Sequence, residues 1–83
     1  MLKILYLASL RERLGRGSED LELPAGVSDV ADLIDFLAAR KGPWENLATV
    51  KNLRHAVNHE MARRNAPLAA DDEVAFFPPV TGG

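Results

Sequence analysis

Ser28-Asp29-Val30-Ala31-Asp32-Leu33-Ile34-Asp35-Phe36-Leu37-Ala38-Ala39-Arg40-Lys41-Gly42-Pro43 is the stretch on which the fold turns. Val30, Leu33, Ile34, Leu37 and Ala38 recur at the i, i+3, i+4, i+7, i+8 spacing that lays one apolar stripe along a helix. The spacing predicts a helix from Asp29 to about Lys41. Ser28 is placed to accept a hydrogen bond from the first free N–H groups, and Asp29 and Asp32 set negative charge at the positive end of the dipole. Arg40 and Lys41 complement the other end, Gly42 supplies a left-handed terminal residue, and Pro43 forbids continuation. No capping box is expected, because Ala31 stands where Glu or Gln would be needed.

Outward from this helix the chain reads as short strands. Leu2 to Ala8 is apolar on both parities, with Leu2, Ile4, Tyr6 and Ala8 on one and Lys3, Leu5 and Leu7 on the other. Leu10 to Leu14 adds a short helical turn before the Gly15-Arg16-Gly17 break, and Leu21-Glu22-Leu23 forms a second strand that pairs back as a hairpin. Pro43 to Lys51 is a loop with a helical turn, anchored by Trp44 and Leu47. Leu53 to Val57 is a strand, Asn58-His59-Glu60 a turn, and Met61-Ala62 the start of a short return strand. A turn at Ala70-Asp71-Asp72 leads into the last strand, Glu73 to Phe77, which Pro78-Pro79 ends.

Five strands around one long helix give an α+β layer fold with the helix on a single face of a mixed sheet, the β-grasp (ubiquitin-like) pattern. The domain occupies residues 1–78 and a tail occupies residues 79–83. One helix covers one face, so the other parity of the central strands is left at the surface: Leu5, Leu7, Phe77 and Met61. Exposed apolar patches of this kind mark protein contacts.

The bulk properties bound the function. A chain of 83 residues holds one domain, and a domain of that size buries only about 60% of its unfolded surface, which invites a partner. Ten Lys and Arg against twelve Asp and Glu give a charge of −2 without a block of one sign, so a nucleic-acid surface is not expected. The apolar run Ile4 to Leu10 is cut off by Arg11-Glu12-Arg13, unlike a signal peptide, and no run is long enough to span a bilayer; a cytoplasmic protein is expected. With no cysteine, no side chain can carry sulfur as a persulfide. His55 and His59, four apart beside Glu60, fall on a strand and a turn where helical ligand geometry is lost, so no metal site is expected. Asp71-Asp72-Glu73 reads as a solvated turn.

The ending Phe76-Phe77-Pro78-Pro79-Val80-Thr81-Gly82-Gly83 carries the chemistry. Two prolines hold the exit from the last strand extended. Two side-chain-free glycines let bare backbone pass a narrow channel and present a carboxylate in another protein's active site. Most chain ends merely fray, and a Gly-Gly ending alone leaves that reading open.

Lys3-Ile4-Leu5-Tyr6-Leu7-Ala8 with Leu10-Arg11-Glu12, Ala56-Val57-Asn58, and above all Asp72 through Gly83 resemble the small, sulfur-carrying subunits of molybdopterin synthase over nearly the full chain. Asp71 departs from that family's usual Gly, and Asp is expected to keep the turn by tolerating a left-handed conformation. The resemblance implies that an ATP-dependent activating enzyme, related to ubiquitin-activating adenylyltransferases, joins Gly83 to AMP and that sulfur then replaces AMP. The resulting thiocarboxylate is a ready nucleophile. The tail would enter a large synthase subunit, in a heterotetramer of two small and two large subunits, and deliver sulfur to cyclic pyranopterin monophosphate in molybdenum cofactor biosynthesis. It further implies that Leu7, Met61 and Phe77 dock the partners, in agreement with the surface parity that adds Leu5 to the patch, that Arg11 pairs with an acidic partner residue, and that acid, base and phosphate-binding groups belong to the large subunit. This chain itself binds no cofactor in that reading. A thiamine-pathway sulfur carrier, a ubiquitin-like protein modifier and an interaction module with an inert tail are the rivals.

Overall fold

The computed structural model describes residues 1–50 and 52–79. Its five strands are β1 (Leu2–Tyr6), β2 (Ser18–Leu21), β3 (Arg54–Val57), β4 (Glu60–Met61) and β5 (Glu73–Phe77), in the order β2-β1-β5-β3-β4. β1 runs parallel to β5 and the other pairs are antiparallel, which makes the sheet mixed as expected. The helices are α1 (Ser9–Leu14), α2 (Val30–Ala38) and α3 (Asn46–Thr49), the last entered through a 3-10 turn at Gly42–Glu45.

The core lies between one sheet face and the helices. Leu2, Ile4 and Tyr6 of β1 and Val74 and Phe76 of β5 are fully buried against Val30, Leu33, Ile34 and Leu37 of α2, with Leu10 of α1 and Leu47 of α3 closing the ends. The apolar stripe of α2 therefore packs as its spacing requires. Each such side chain, taken fully out of water, contributes on the order of 1.5–3 kcal/mol.

Both ends of α2 differ from expectation. The N-cap is Asp29, extended at φ −144°, whose side chain accepts from the Asp32 N–H at 2.8 Å. Ser28 donates instead of accepting: its N–H and hydroxyl both reach Asp32 Oδ2 at 3.1 Å. Asp32 thus bonds to the N-cap through its N–H and to the residue before the cap through its carboxylate, without the reciprocal pairing of a capping box. The helix stops at Ala38, three residues short of Lys41. Arg40 and Lys41 N–H groups bond back to Leu37 and Ala38 carbonyls in tight i, i+3 turns. The left-handed step falls on Lys41 at φ 68° as well as on Gly42 at φ 62°.

Three smaller corrections follow from pairing. β1 ends at Tyr6, because Ala8 turns to φ 54° to start α1. β2 lies at Ser18–Leu21, earlier than Leu21-Glu22-Leu23, since its register against β1 runs from Leu2 with Leu21 to Leu5 with Ser18. As an edge strand it can be mostly polar, and alternation in hydrophobicity did not mark it. The turn before β5 survives without a left-handed Asp71, which is not among the residues of positive φ; the Asp72 N–H bonds to Ala69 O at 3.2 Å and its carboxylate takes the Ala69 N–H at 2.8 Å.

Candidate docking face and tail root

The face of the sheet away from the helices is fixed by register. Leu5 pairs with Ser18 on one side and Ala75 on the other, Ala75 pairs with Ala56, and Ala56 with Met61. Because paired residues share a side, Ser18, Leu5, Ala75, Ala56 and Met61 form one row across all five strands. The small Ala75 and Ala56 keep the middle of that row low between Leu5 and Met61. Beyond it, toward the finishing ends of β1 and β5, lie Leu7, whose N–H donates to Phe76 O at 3.0 Å, then Phe77 and its cross-strand partner Arg54. Met61 is 60% exposed and Leu7 41%, while Leu5 and Phe77 are half-buried. The four apolar residues expected to face a partner are on one surface.

Arg11 is set apart from them. It sits on α1, exposed, with its guanidinium against Gly17, where an added Cβ would stand 3.1 Å from Arg11 Nε. That side chain flanks an open cleft with Ala8, Gly15 and Arg16, and Arg11 makes no ion pair among the described residues.

Phe77 hands the chain to Pro78 and Pro79, both half-buried and outside the ladder. Pro79, the last described residue, lines a groove with Arg54, Met61 and Ala62 beside the apolar row. Val80, Thr81, Gly82 and Gly83, including the carboxylate expected to carry the chemistry, lie outside the described residues.

The histidines are separated by the fold. His55 faces the core from β3, 6% exposed, edge-on to Phe76 at 6.4 Å between ring centres. Its Nδ1 has no hydrogen-bond partner, and burial, with the nearby Arg64 charge acting in the same direction, pushes its pKa below the usual 6.5. His59 stands in the β3–β4 turn at φ 71°, its Nε2 3.2 Å from Glu73 Oε2. Among the described residues no group of three or more His, Cys, Asp or Glu is gathered to hold a metal ion, and no helix is long and apolar enough to cross a membrane.

Arg54, Ala56 and Ala75 are members of this surface that sequence reading missed. Alternation alone gave Ala75 its parity with Phe77, but Ala56 and Arg54 join the face only through the β3–β5 register, which no local pattern specifies.

A mixed five-stranded sheet with one main helix on one face defines a ubiquitin-like β-grasp domain. The match to the ThiS family model spans residues 4–83, and the chain belongs to that family. It is 39% identical over the whole of both chains to the molybdopterin synthase sulfur carrier subunit of Escherichia coli K12. It is 31% identical, again over the whole of both, to the protein of the same name from Haemophilus influenzae. Among solved structures, SAMP1 of Haloferax volcanii superposes with a TM-score of 0.76 at 27% identity, covering 99% of this chain and 98% of the other.

Proposed function

We propose that this chain is a sulfur carrier subunit of molybdopterin synthase, working through the carboxylate of Gly83. The observation that carries the proposal is the exposed apolar row running up to the root of a Pro-Pro-Val-Thr-Gly-Gly tail, in a chain similar along its full length to carrier subunits of that name. A carboxylate is a poor acyl donor because oxide leaves badly. An adenylyltransferase therefore lets it attack the α-phosphorus of ATP, expelling pyrophosphate and leaving Gly83 as an acyl-adenylate. A persulfide sulfur then attacks the acyl carbon and AMP departs. A thiol cleaves the resulting acyl disulfide and frees the thiocarboxylate.

The partner is the large synthase subunit, in an assembly of two small and two large chains. Docked on the row of Leu5, Ala75, Ala56 and Met61, it receives the tail in its active site. The thiocarboxylate sulfur attacks an activated carbon of cyclic pyranopterin monophosphate, and water hydrolyses the thioester to restore the Gly83 carboxylate. Two deliveries complete a dithiolene. This chain supplies the sulfur and its position; ATP belongs to the activating enzyme.

Intact mass of the chain from its own cells tests the reading. A population heavier by one sulfur-for-oxygen exchange at the C-terminus is expected, and its absence under active cofactor synthesis would overturn the proposal. Likeness to SAMP1, a small archaeal modifier protein, favours a second reading, in which Gly83 ends in an isopeptide bond to a lysine. A ladder of conjugates lost on deleting Gly83 would support it. A thiamine-pathway carrier would instead co-purify with a thiazole-forming enzyme.

A further inference from the structure

Charge is divided along the outer face. At the end where β1 and β5 begin, Lys3 pairs in register with Asp20 on one side and Glu73 on the other. Asp71 takes the N-terminal ammonium at 2.7 Å and Glu73 takes His59. Lys3 and the N-terminal ammonium there each stand beside acidic partners. At the other end, where the tail departs, Arg54 is exposed beside Phe77 in the β3–β5 register. Arg11 stands near the end of β1, and Arg63 and Arg64 follow β4, all exposed. None of these four arginines has an ion-pair or side-chain hydrogen-bond partner among the described residues, whereas Arg16 and Arg40 are both engaged by Glu19.

We propose that Arg54 is a partner-specificity residue: the large subunit that docks on the apolar row presents a carboxylate into the groove of Arg54, Met61, Ala62 and Pro79. The inference rests on the reading of the chain as a synthase subunit and adds the chemistry of the contact. The apolar row supplies area with little orientation, because Leu5, Ala75, Ala56 and Met61 are a smooth stripe. A guanidinium at one end breaks that symmetry, offers a planar fork of donors to a carboxylate, and sets the direction in which the tail points into the partner. A partner with a basic residue at the same place meets like charge, which rejects it more strongly than the favourable pair attracts the right one.

The test is calorimetric titration of the purified chain with the large synthase subunit of the same organism. Arg54→Glu is expected to weaken binding by about tenfold or more, Arg54→Lys to keep only part of the wild-type affinity because an ammonium lacks the planar fork, and Lys3→Glu at the end where β1 and β5 begin to change it by less than about twofold. An Asp or Glu→Arg replacement in the partner restores binding to Arg54→Glu. Circular dichroism confirms that the variants fold, which solvent exposure of Arg54 favours. Equal affinity of wild type and Arg54→Glu would overturn the inference and leave the synthase reading intact. A wild-type chain that does not bind the large subunit at all would sink both.

Discussion

Tyr6 and Glu19 sit diagonally across the β1–β2 pair, and the Tyr6 hydroxyl donates to Glu19 Oε1 at 2.6 Å. Arg40, just past the end of α2, grips the same carboxylate with two N–H groups at 2.7 and 3.2 Å, and Arg16 adds a third cation contact at 3.1 Å. Arg40 in turn lies 4.4 Å over the Trp44 ring, whose edge meets Tyr6 at 5.3 Å between ring centres. One acidic side chain on the core-facing parity of an edge strand thereby ties the sheet to the end of the main helix.

Removing that carboxylate should loosen the edge. Burial pushes the Glu19 carboxyl up, but donation from Arg40 and Tyr6 and the two arginine charges outweigh it and hold the pKa below 4.5. A depressed carboxylate stabilises the fold fully above its unfolded value and loses that contribution as pH falls through the folded value. Glu19→Ala, which orphans the Tyr6 hydroxyl, is expected to cost about 1–3 kcal/mol at neutral pH in urea melts. Glu19→Gln should lack part of the loss of stability that wild type shows below about pH 4.5. Wild-type midpoints in both variants would refute the linkage.

His55 predicts a second pH effect of the opposite kind of group. Its pKa is depressed by burial, so the neutral ring is the folded form and stability is full above the unfolded value of 6.5. Acidification below that value should destabilise wild type as the unfolded chain takes up a proton that the core resists. His55→Leu should flatten this part of the stability profile between pH 6.5 and 5. Equal slopes in the two proteins would show that the ring titrates freely.

Asn58 clamps the β3–β4 turn to the start of β5. At φ 51° its side chain accepts the Glu73 N–H and donates to Asp72 Oδ1, each at 3.0 Å, and its own N–H reaches Glu73 O at 2.7 Å. Asn58→Ala loses both side-chain bonds and keeps the left-handed backbone, for about 1–3 kcal/mol. Asn58→Gly loses the bonds but relaxes the backbone, so it should fall between Ala and wild type in thermal denaturation. If Gly proves worse than Ala, the backbone term has been misjudged.

Phe77 and Met61 should matter for binding more than for folding. Phe77→Asp is expected to weaken association with the large subunit by roughly 30-fold or more, the scale of an aromatic hot spot, and Met61→Asp by less because Met61 sits at the sheet edge. Cooperative unfolding should persist in both. Unchanged affinity in surface plasmon resonance would remove the outer face from the docking site.

The separate character of the elements explains how much could be read early. The stripe on α2 and the apolar β5 are local patterns, and both were legible because burial repeats with the period of the element. The outer-face set of Leu5, Leu7, Met61 and Phe77 followed from simple counting of sheet faces against one helix. β2 was misplaced because one of its two core-facing residues is Glu19, tolerated there by Tyr6, Arg16 and Arg40 from elsewhere in the chain. The cap at Asp29 and the early stop of α2 were missed for a related reason, since hydrogen bonds from Ser28 to Asp32 and the ion pair of Arg40 with Glu19 compete with local propensity.

The sequence by itself determined a β-grasp domain with a Gly-Gly tail, because hydrophobic period, turn residues and the paired prolines act over a few neighbouring residues. Tertiary structure decided which side chains share the outer face, that Arg54 stands beside Phe77 at the tail root, and that Glu19 can be half-buried. Those facts depend on strand register and on partners distant in the chain, and a one-residue slip in register would have reversed every one of them.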